Sequence, residues 1–330
     1  MTDILLRLIM PKIKTVFLLL TLTFLNLVGA QDKYPNRSIQ LVTPLFPGTT
    51  LDFVARTFAD RLTQVLKQSV IVLNKPGAGG TIAEQTVAKS VPDGYTLLII
   101  NSQHTFNPAL YTTLPYDTLA DFAGIAQIGD APSVMVVPPK LGITTLKEFI
   151  SLAKQNPGKL NYSSAGIGTT THIGPAYLFS KADIDLVHVP YKGNEMLTDM
   201  LSGHIDAIVT PIAFVLQHIR EGKVIAIAVT SRETLQPLPG VPTVEQAGGI
   251  ADFQYSTYYG FVAPIKTPRT IINQLSAAIK QVTFEKEIKE KFSSQAIFPT
   301  YLGPTEFDAY IKADLERIGP FIKKIGATAN

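Results

Sequence analysis

Two short runs carry the residue types through which this chain could do chemistry. Pro44-Leu45-Phe46-Pro47-Gly48-Thr49-Thr50 and Ser164-Ala165-Gly166-Ile167-Gly168-Thr169-Thr170-Thr171-His172 are both rich in glycine and hydroxyl side chains, and each leads into a helical pattern. The start of a helix offers unpaired N–H groups at the positive end of its dipole, which suits an anion. In the first run these are the N–H groups of Gly48, Thr49 and Thr50 with two threonine hydroxyls. In the second, Ser164, Gly166, Thr169 and Thr170 offer the same chemistry. Either loop alone also fits an ordinary strand-to-helix turn, with glycine for backbone freedom and threonine as N-cap. One in each half of the chain points to a pair that could grip a dicarboxylate from two sides. Asp52 and Asp206 flank candidate loops, and a partly desolvated carboxylate there needs loop N–H groups, ordered water or a donor on the ligand. The loop after residue 100 adds Ser102 and His104, the latter either a ligand contact or a loop brace.

Other motifs are weaker. Asn74-Lys75-Pro76-Gly77-Ala78-Gly79-Gly80 has the look of a phosphate loop but lacks the Gly-Lys-Ser/Thr ending, so a structural turn is expected. The five histidines, His104, His172, His188, His204 and His218, have no zinc-helix spacing, and there is no Gly-x-Ser-x-Gly elbow. His172 is expected to orient the Ser164 loop. A hydrolase or transferase using Asp52, His104 or Asp206 as acid–base groups is the alternative from another class, but no nucleophile, base and orienting group can be assembled from spacing. No metal or cofactor is expected, and the chain is read as a non-enzyme.

The elements that must position these loops alternate along the chain. Strands are predicted over 39–43, 70–73 and 96–100, with helices over 51–67 and 81–89 between them, and such βαβαβ alternation implies a parallel sheet covered by helices. After a linker-like Asp130-Ala131-Pro132 the pattern restarts, with strands over 133–137, 160–163, 186–189, 207–209 and 224–229. Helices are predicted from the capping-box spacing at Thr145 and Glu148, over 171–181 and over 195–201. Amphipathic helices from Thr267-Pro268 and over 305–318 are expected to return to the first sheet. Ligands of open α/β sheets sit beyond the carboxyl ends of strands, which is where both loops fall. The expected division is residues 31–132 with 255–330 in one lobe and 133–254 in the other, hinged near 130–134 and 254–260.

The N-terminal segment reads as a secretory signal, with Lys12 and Lys14, an apolar run over 16–28 and a small pair Gly29-Ala30, so that cleavage is expected before Gln31. Met10 is an alternative start. The run is short of the ~20 apolar residues that span a bilayer. The absence of cysteine excludes disulfides, thiolate metal sites and a lipid-anchored cysteine. Losing residues 1–30 removes three basic residues and one acid and lowers the formal charge from +3 to +1, too balanced for nucleic acid. A free periplasmic monomer is expected.

The residues also resemble a known family, the substrate-binding proteins of tripartite tricarboxylate transporters, or Bug-type solute receptors. The landmarks are Tyr34-Pro35, the residues from Pro44 to Asp52, Asn74-Lys75-Pro76-Gly77-Ala78-Gly79-Gly80, Pro92-Asp93-Gly94-Tyr95, Leu114-Pro115-Tyr116-Asp117, Asn156-Pro157-Gly158-Lys159, the Ser164 to His172 loop, His188-Val189-Pro190-Tyr191-Lys192-Gly193 and Val241-Pro242-Thr243. The resemblance implies a type II periplasmic-binding-protein fold, two α/β lobes whose hinged cleft closes on a small carboxylate, and delivery to a membrane permease. An orphan receptor that signals to a membrane sensor would look the same. The chain departs from the family pattern at Gly48-Thr49, where Gly-Gly is usual, at Leu51 before Asp52, and at Tyr258, where tryptophan is common. Phe46 and Ile212 would supply apolar walls for a ligand with a ring or longer chain.

Overall fold

In the computed structural model, residues 34–191 and 195–329 are described; the expected signal segment and its cleavage site lie outside them. From residue 38 onward, β1 (Ile39–Thr43) lies between β2 (Val70–Asn74) and β3 (Thr96–Asn101), all parallel. α1 (Thr50–Leu66) and α2 (Thr81–Ala88) connect them, and α3 (Gln103–Leu110) follows β3. The sheet is then continued by antiparallel strands: β3 pairs with β9 (Ser256–Pro264), and β9 with β4 (Phe122–Val137). The predicted all-parallel sheet is therefore mixed. Two of its antiparallel members, β9 and β4, are the strands through which the chain passes between the two halves.

Strand β4 replaces the predicted linker and explains why the two halves stay connected. Asp130, Ala131 and Pro132 are in its middle, paired with Tyr258, Thr257 and Ser256 of β9. Beyond Pro132 the partners change. Residues 133–136 pair with β7 (Ala207–Pro211), and residues 134–137 also pair with β8 (Ile225–Val229) on the other edge. Parallel strands β5 (Asn161–Ser164) and β6 (Val187–Pro190) extend this second sheet from β7. Proline donates no ladder bond, so Pro132 is tolerated where one set of neighbours gives way to the next.

Side-chain alternation along β4 divides the second core. Val134 and Val136 join Ile208, Ile212 and Val215 on one face, while Met135 and Val137 join Phe149, Ile173 and Val209 on the other. The first sheet packs Val42, Leu98, Ile100 and Val262 against Phe307 and Ile311 of α11 (Pro304–Lys324). Gly260 makes this close approach possible, since a Cβ there would meet the Phe307 ring and the Ala126 carbonyl.

Several helices follow their sequence signals. α4 (Leu146–Gln155) has the Thr145/Glu148 capping box, and α5 (Thr170–Lys181) starts at the second threonine-rich loop. α6 (Glu195–Leu201), α7 (Ile212–Arg220) and the short α8 (Val244–Gly248) belong to the second half. α9 (Arg269–Thr283), α10 (Lys286–Ser294) and β10 (Phe298–Leu302) return to the first sheet, with β10 paired to β4. α11 departs from expectation. Its Ile318 and Ile322 pack in the same cluster as Phe149 and Ile173 of the second half, together with Phe106 and Leu110 of α3.

Hydrogen bonds sew the two crossing segments together. Thr230 Oγ1 accepts from Ser133 N at 2.8 Å and donates to the Tyr255 carbonyl at 2.6 Å. Ser102 Oγ accepts from Tyr258 N at 3.1 Å on the first-sheet side.

Candidate functional site

Strands β1 and β5 end at the same opening, and their following loops face each other across a cavity of about 630 Å³. Leu45, Pro47, Gly48, Thr49, Thr50 and Leu51 line it from the first loop and helix α1. Ala165, Thr169, Thr170 and Thr171 line it from the second loop and helix α5. Asn101 and Gln103 come from the end of β3, Pro211 and Phe214 from the β7–α7 junction, and Thr257 and Tyr259 from β9. None of these side chains carries a formal charge. The cavity therefore offers donors, hydroxyls and apolar walls, and an anion entering it would be held by backbone dipoles and neutral donors.

The first loop holds its own shape through Asp52. Asp52 Oδ2 accepts from Gly48 N at 3.0 Å and from Arg56 Nε at 3.0 Å, and Oδ1 accepts from Asn74 Nδ2 at 2.8 Å. The Asn74 amide also donates to the Leu45 carbonyl at 3.0 Å, so the glycine-rich turn after β2 braces the loop. Burial opposes ionisation of Asp52, but the Arg56, Gly48 and Asn74 donors prevail and hold its carboxyl below the ordinary value. Thr49 is the N-cap, its hydroxyl accepting from Asp52 N at 3.3 Å. These bonds change the expected donor set. Gly48 N–H is committed to Asp52, and Thr49 N–H points to the Phe46 carbonyl at 3.4 Å. The first-turn N–H groups of Thr50 and Leu51, which have no helical carbonyl to bond, are the donors left for the cavity.

The second loop is braced by a different set of groups. Thr169 Oγ1 donates to the Gly166 carbonyl at 2.7 Å, and Ala165 N donates to Thr171 Oγ1 at 3.0 Å. Gly168 N donates to His172 Nδ1 at 3.1 Å. Ser164 Oγ lies 2.7 Å from His188 Nε2 and accepts from Gly166 N at 3.1 Å. The His172 and His188 rings stack with centroids 3.9 Å apart, and Tyr162 stacks on the other side of His188. Burial pushes both imidazoles down to about 4, with the neighbouring His188 adding to the effect on His172. The Ser164–His188 contact has nucleophile–base spacing, yet Ser164 is fully buried beneath its loop and does not line the cavity.

Of the residues singled out from the sequence, Gly48, Thr49, Thr50, Thr169 and Thr170 line the cavity. The others do not. Phe46 is 64% exposed at the loop tip, and Gly166 is inside its own turn. Ser102 is buried as a tie to Tyr258, and Asp206 accepts from Asn161 N at 3.0 Å at the start of β7. His104 is buried with Nδ1 3.3 Å from Glu84 Oε1, its ring edge-on to Phe122. Ile212 is fully buried in the second core, and Phe214 reaches the cavity instead. Sequence reasoning missed Asn101, Gln103, Pro211, Phe214, Thr257 and Tyr259. Asn101 and Gln103 follow a strand end that the carboxyl-edge rule marks, and Thr257 and Tyr259 alternate within a segment read only as a hinge. Phe214 left no such signal. Among the described residues, no group of three or more metal-ligating side chains is arranged to hold an ion, and no helix is long and apolar enough to cross a membrane.

Comparisons with known proteins agree over nearly the whole chain. Residues 54–327 match the family described as "Tripartite tricarboxylate transporter family receptor". Protein BugT of Bordetella pertussis is 32% identical over 299 residues, covering 90% of this chain and 91% of BugT. A protein encoded in the tcbD–tcbE intergenic region of Pseudomonas sp. (strain P51) is 32% identical over 300 residues, covering 91% and 89%. Among solved structures, R. palustris Rpa4515 with adipate superposes with a TM-score of 0.78 at 28% identity, covering 89% of this chain and 99% of its own. MatC from Rhodopseudomonas palustris with bound malate gives 0.75 at 26% identity, covering 88% and 100%. A methylphosphonate-bound PhnD1 from Prochlorococcus marinus, at 15% identity and a TM-score of 0.51, shares the fold alone. The fold is thus the two-lobe α/β fold of type II periplasmic binding proteins.

Proposed function

Because the chain belongs to the tripartite tricarboxylate transporter receptor family, we propose that it captures a small organic carboxylate between α1 and α5 and delivers it to a membrane permease of that transporter type. The observation that carries this reading is the pair of helix starts facing one uncharged cavity, each with first-turn N–H groups and a threonine hydroxyl to offer. A carboxylate at each start would satisfy both sets of donors, which favours a dicarboxylate. Phe214 and Tyr259 would pack an aliphatic or aromatic body between them.

The likeness to a protein holding adipate and to another holding malate supports the carboxylate class. In this reading the lobes divide where β4 changes partners, at Pro132 and Ser133, and again near Tyr255. The protein works in the periplasm as a monomer after removal of residues 1–30. Thr50, Thr170 and the N–H groups of Leu51 and Thr171 contact the carboxylates, while Asp52, Ser164 and Thr169 keep the loops in shape.

The test is a melting-temperature screen of residues 31–330 against aliphatic and aromatic mono-, di- and tricarboxylates. A ligand at 100 times its dissociation constant adds about 2.7 kcal/mol, a shift of several degrees in a chain of this size. A shift confined to one carboxylate class supports the reading and names the substrate type. No shift with any carboxylate and a clear one with an uncharged solute overturns it.

A further inference from the structure

Strand β9 has a second cavity behind it. Thr257 and Tyr259 face the cavity already described, so strand alternation sends Ser256 and Tyr258 to the opposite face. There Tyr258 meets the rings of Phe307 and Tyr310 edge-on. A cavity of about 240 Å³ opens on that side, lined by Ser256, Tyr310, Ala313, Asp314 and Arg317 together with Tyr177 of α5. It is bounded by elements of both halves: α11 packs on the first sheet through Phe307 and Ile311 and enters the second core only beyond Arg317, at Ile318 and Ile322, whereas α5 starts at the second threonine-rich loop.

The contacts across this rear gap are specific. The Arg317 guanidinium lies over the Tyr177 ring, 5.5 Å from its centroid, and Phe321 meets the same ring edge-on at 5.2 Å. Arg317 is in turn paired with Asp314 at 2.5 Å, and Asp314 accepts from Thr105 Oγ1 at 2.6 Å, anchoring the guanidinium to the first half. Helix α5 therefore has its first turn in the front cavity and Tyr177, two turns on, in the rear contact. The crossing strands β4 and β9 run between the two.

We propose that the Tyr177–Arg317 contact is a latch behind the crossing strands that biases the front cleft toward its open arrangement. Rotation about β4 and β9 that narrows the front must widen the rear, so closure separates the ring from the guanidinium. The ligand has to supply the free energy of that separation. An exposed cation–π contact is a modest interaction, so releasing it should favour closure about two- to five-fold. The inference rests on the receptor reading, because it presupposes a cleft that closes.

The test reads the unliganded protein. The chain has no cysteine, so nitroxide labels on Phe46→Cys and Ile167→Cys, exposed residues of the two facing loops, report the width of the front cleft by pulsed dipolar spectroscopy. Tyr177→Ala and Arg317→Gln should each raise the short-distance population about two- to five-fold. Ala313→Trp, which adds bulk behind the strands rather than removing a contact, should move the distribution the same way and decides the matter if the other two do not fold. Folded variants with an unchanged distribution, or lengthening by Ala313→Trp, would overturn the latch. Millimolar adipate or malate that shortens the distance while all three variants leave it unchanged defeats the latch alone. A distance that no variant alters defeats the latch whatever the carboxylates do, and the receptor reading then stands or falls separately on the melting screen.

Discussion

The hydroxyl of Tyr255 donates to the carbonyl of Thr170 across 2.9 Å, joining the segment that returns to the first sheet to the first turn of α5. Tyr255 is almost fully buried, and Gly174, one turn further along α5, leaves no room for a Cβ against its ring. The start of α5 is thus held by the crossing segment as well as by its own loop.

Tyr255→Phe keeps the ring and removes that bond. It should lower stability by about 0.5–1.5 kcal/mol, the net worth of one hydrogen bond, and weaken binding of whichever carboxylate the melting screen identifies. Calorimetric titration checks it: wild-type affinity in a folded variant would detach the crossing segment from the site.

Thr50→Ala and Thr170→Ala remove the hydroxyl of the first helical residue at each of the two facing starts. Each should cost about 1–3 kcal/mol of carboxylate affinity with little loss of stability. Thr169→Ala should do the reverse, since its hydroxyl is spent on the Gly166 carbonyl at 2.7 Å; the melting point falls and affinity follows only through a looser loop. Titrating and melting the three variants side by side separates contact from support.

The stacked imidazoles give stability a dependence on pH. His172 and His188 have folded values near 4 against about 6.5 for the free side chain. Between those limits the unfolded chain binds protons that the folded one refuses, so stability is full above 6.5 and is lost as pH falls through 4. Each unit of depression is worth about 1.4 kcal/mol before solvent screening reduces it. The melting temperature should drop across this window, and His188→Gln should flatten the drop.

Asp130 acts with the opposite sign. Burial within crossing strand β4 raises its carboxyl to about 6, partly offset by the Gln127 amide at 2.9 Å. The folded chain keeps a proton that the unfolded one releases above about 3.8, so stability is lost as pH rises through 6. Asp130→Asn should raise stability by about 1–3 kcal/mol at pH 7.5 and leave it unchanged at pH 4. Equal melting shifts at both values would mean that ionisation is not the cause.

How far the sequence was legible depended on whether an element answers to local rules. Strands such as β1 and β5 and the Thr145 capping box follow composition, spacing and caps, and were expected where they stand. Only residues 133–137 of strand β4 are legible locally, because Asp130-Ala131-Pro132 has the composition of a linker; pairing with β9, more than a hundred residues away, keeps the stretch before them extended. Helix α3 was missed because Pro108 interrupts its pattern, and α7 because Pro211 directly precedes it. At the cavity the threonine-rich loops were legible because glycine, hydroxyls and a helix start are contiguous. Phe214 was not, since a phenylalanine on a helix reads the same whether it faces a core or an opening.

The strand shared by both sheets sets a limit on modularity. Residues 122–137 supply an interior strand to the first sheet and another to the second, so no cut in the gene yields two self-sufficient pieces. A break after Pro132 would leave the upstream fragment without β9 and β10, which are encoded far downstream, and the downstream fragment with its opening strand reduced to a stub. Exchange of a whole half between relatives by a single crossover is closed to this architecture, because the second half is an insertion between β4 and β9 and needs a junction at each. Any exchange must therefore keep both crossing strands in register at once, a demand that substitutions in the loops do not make.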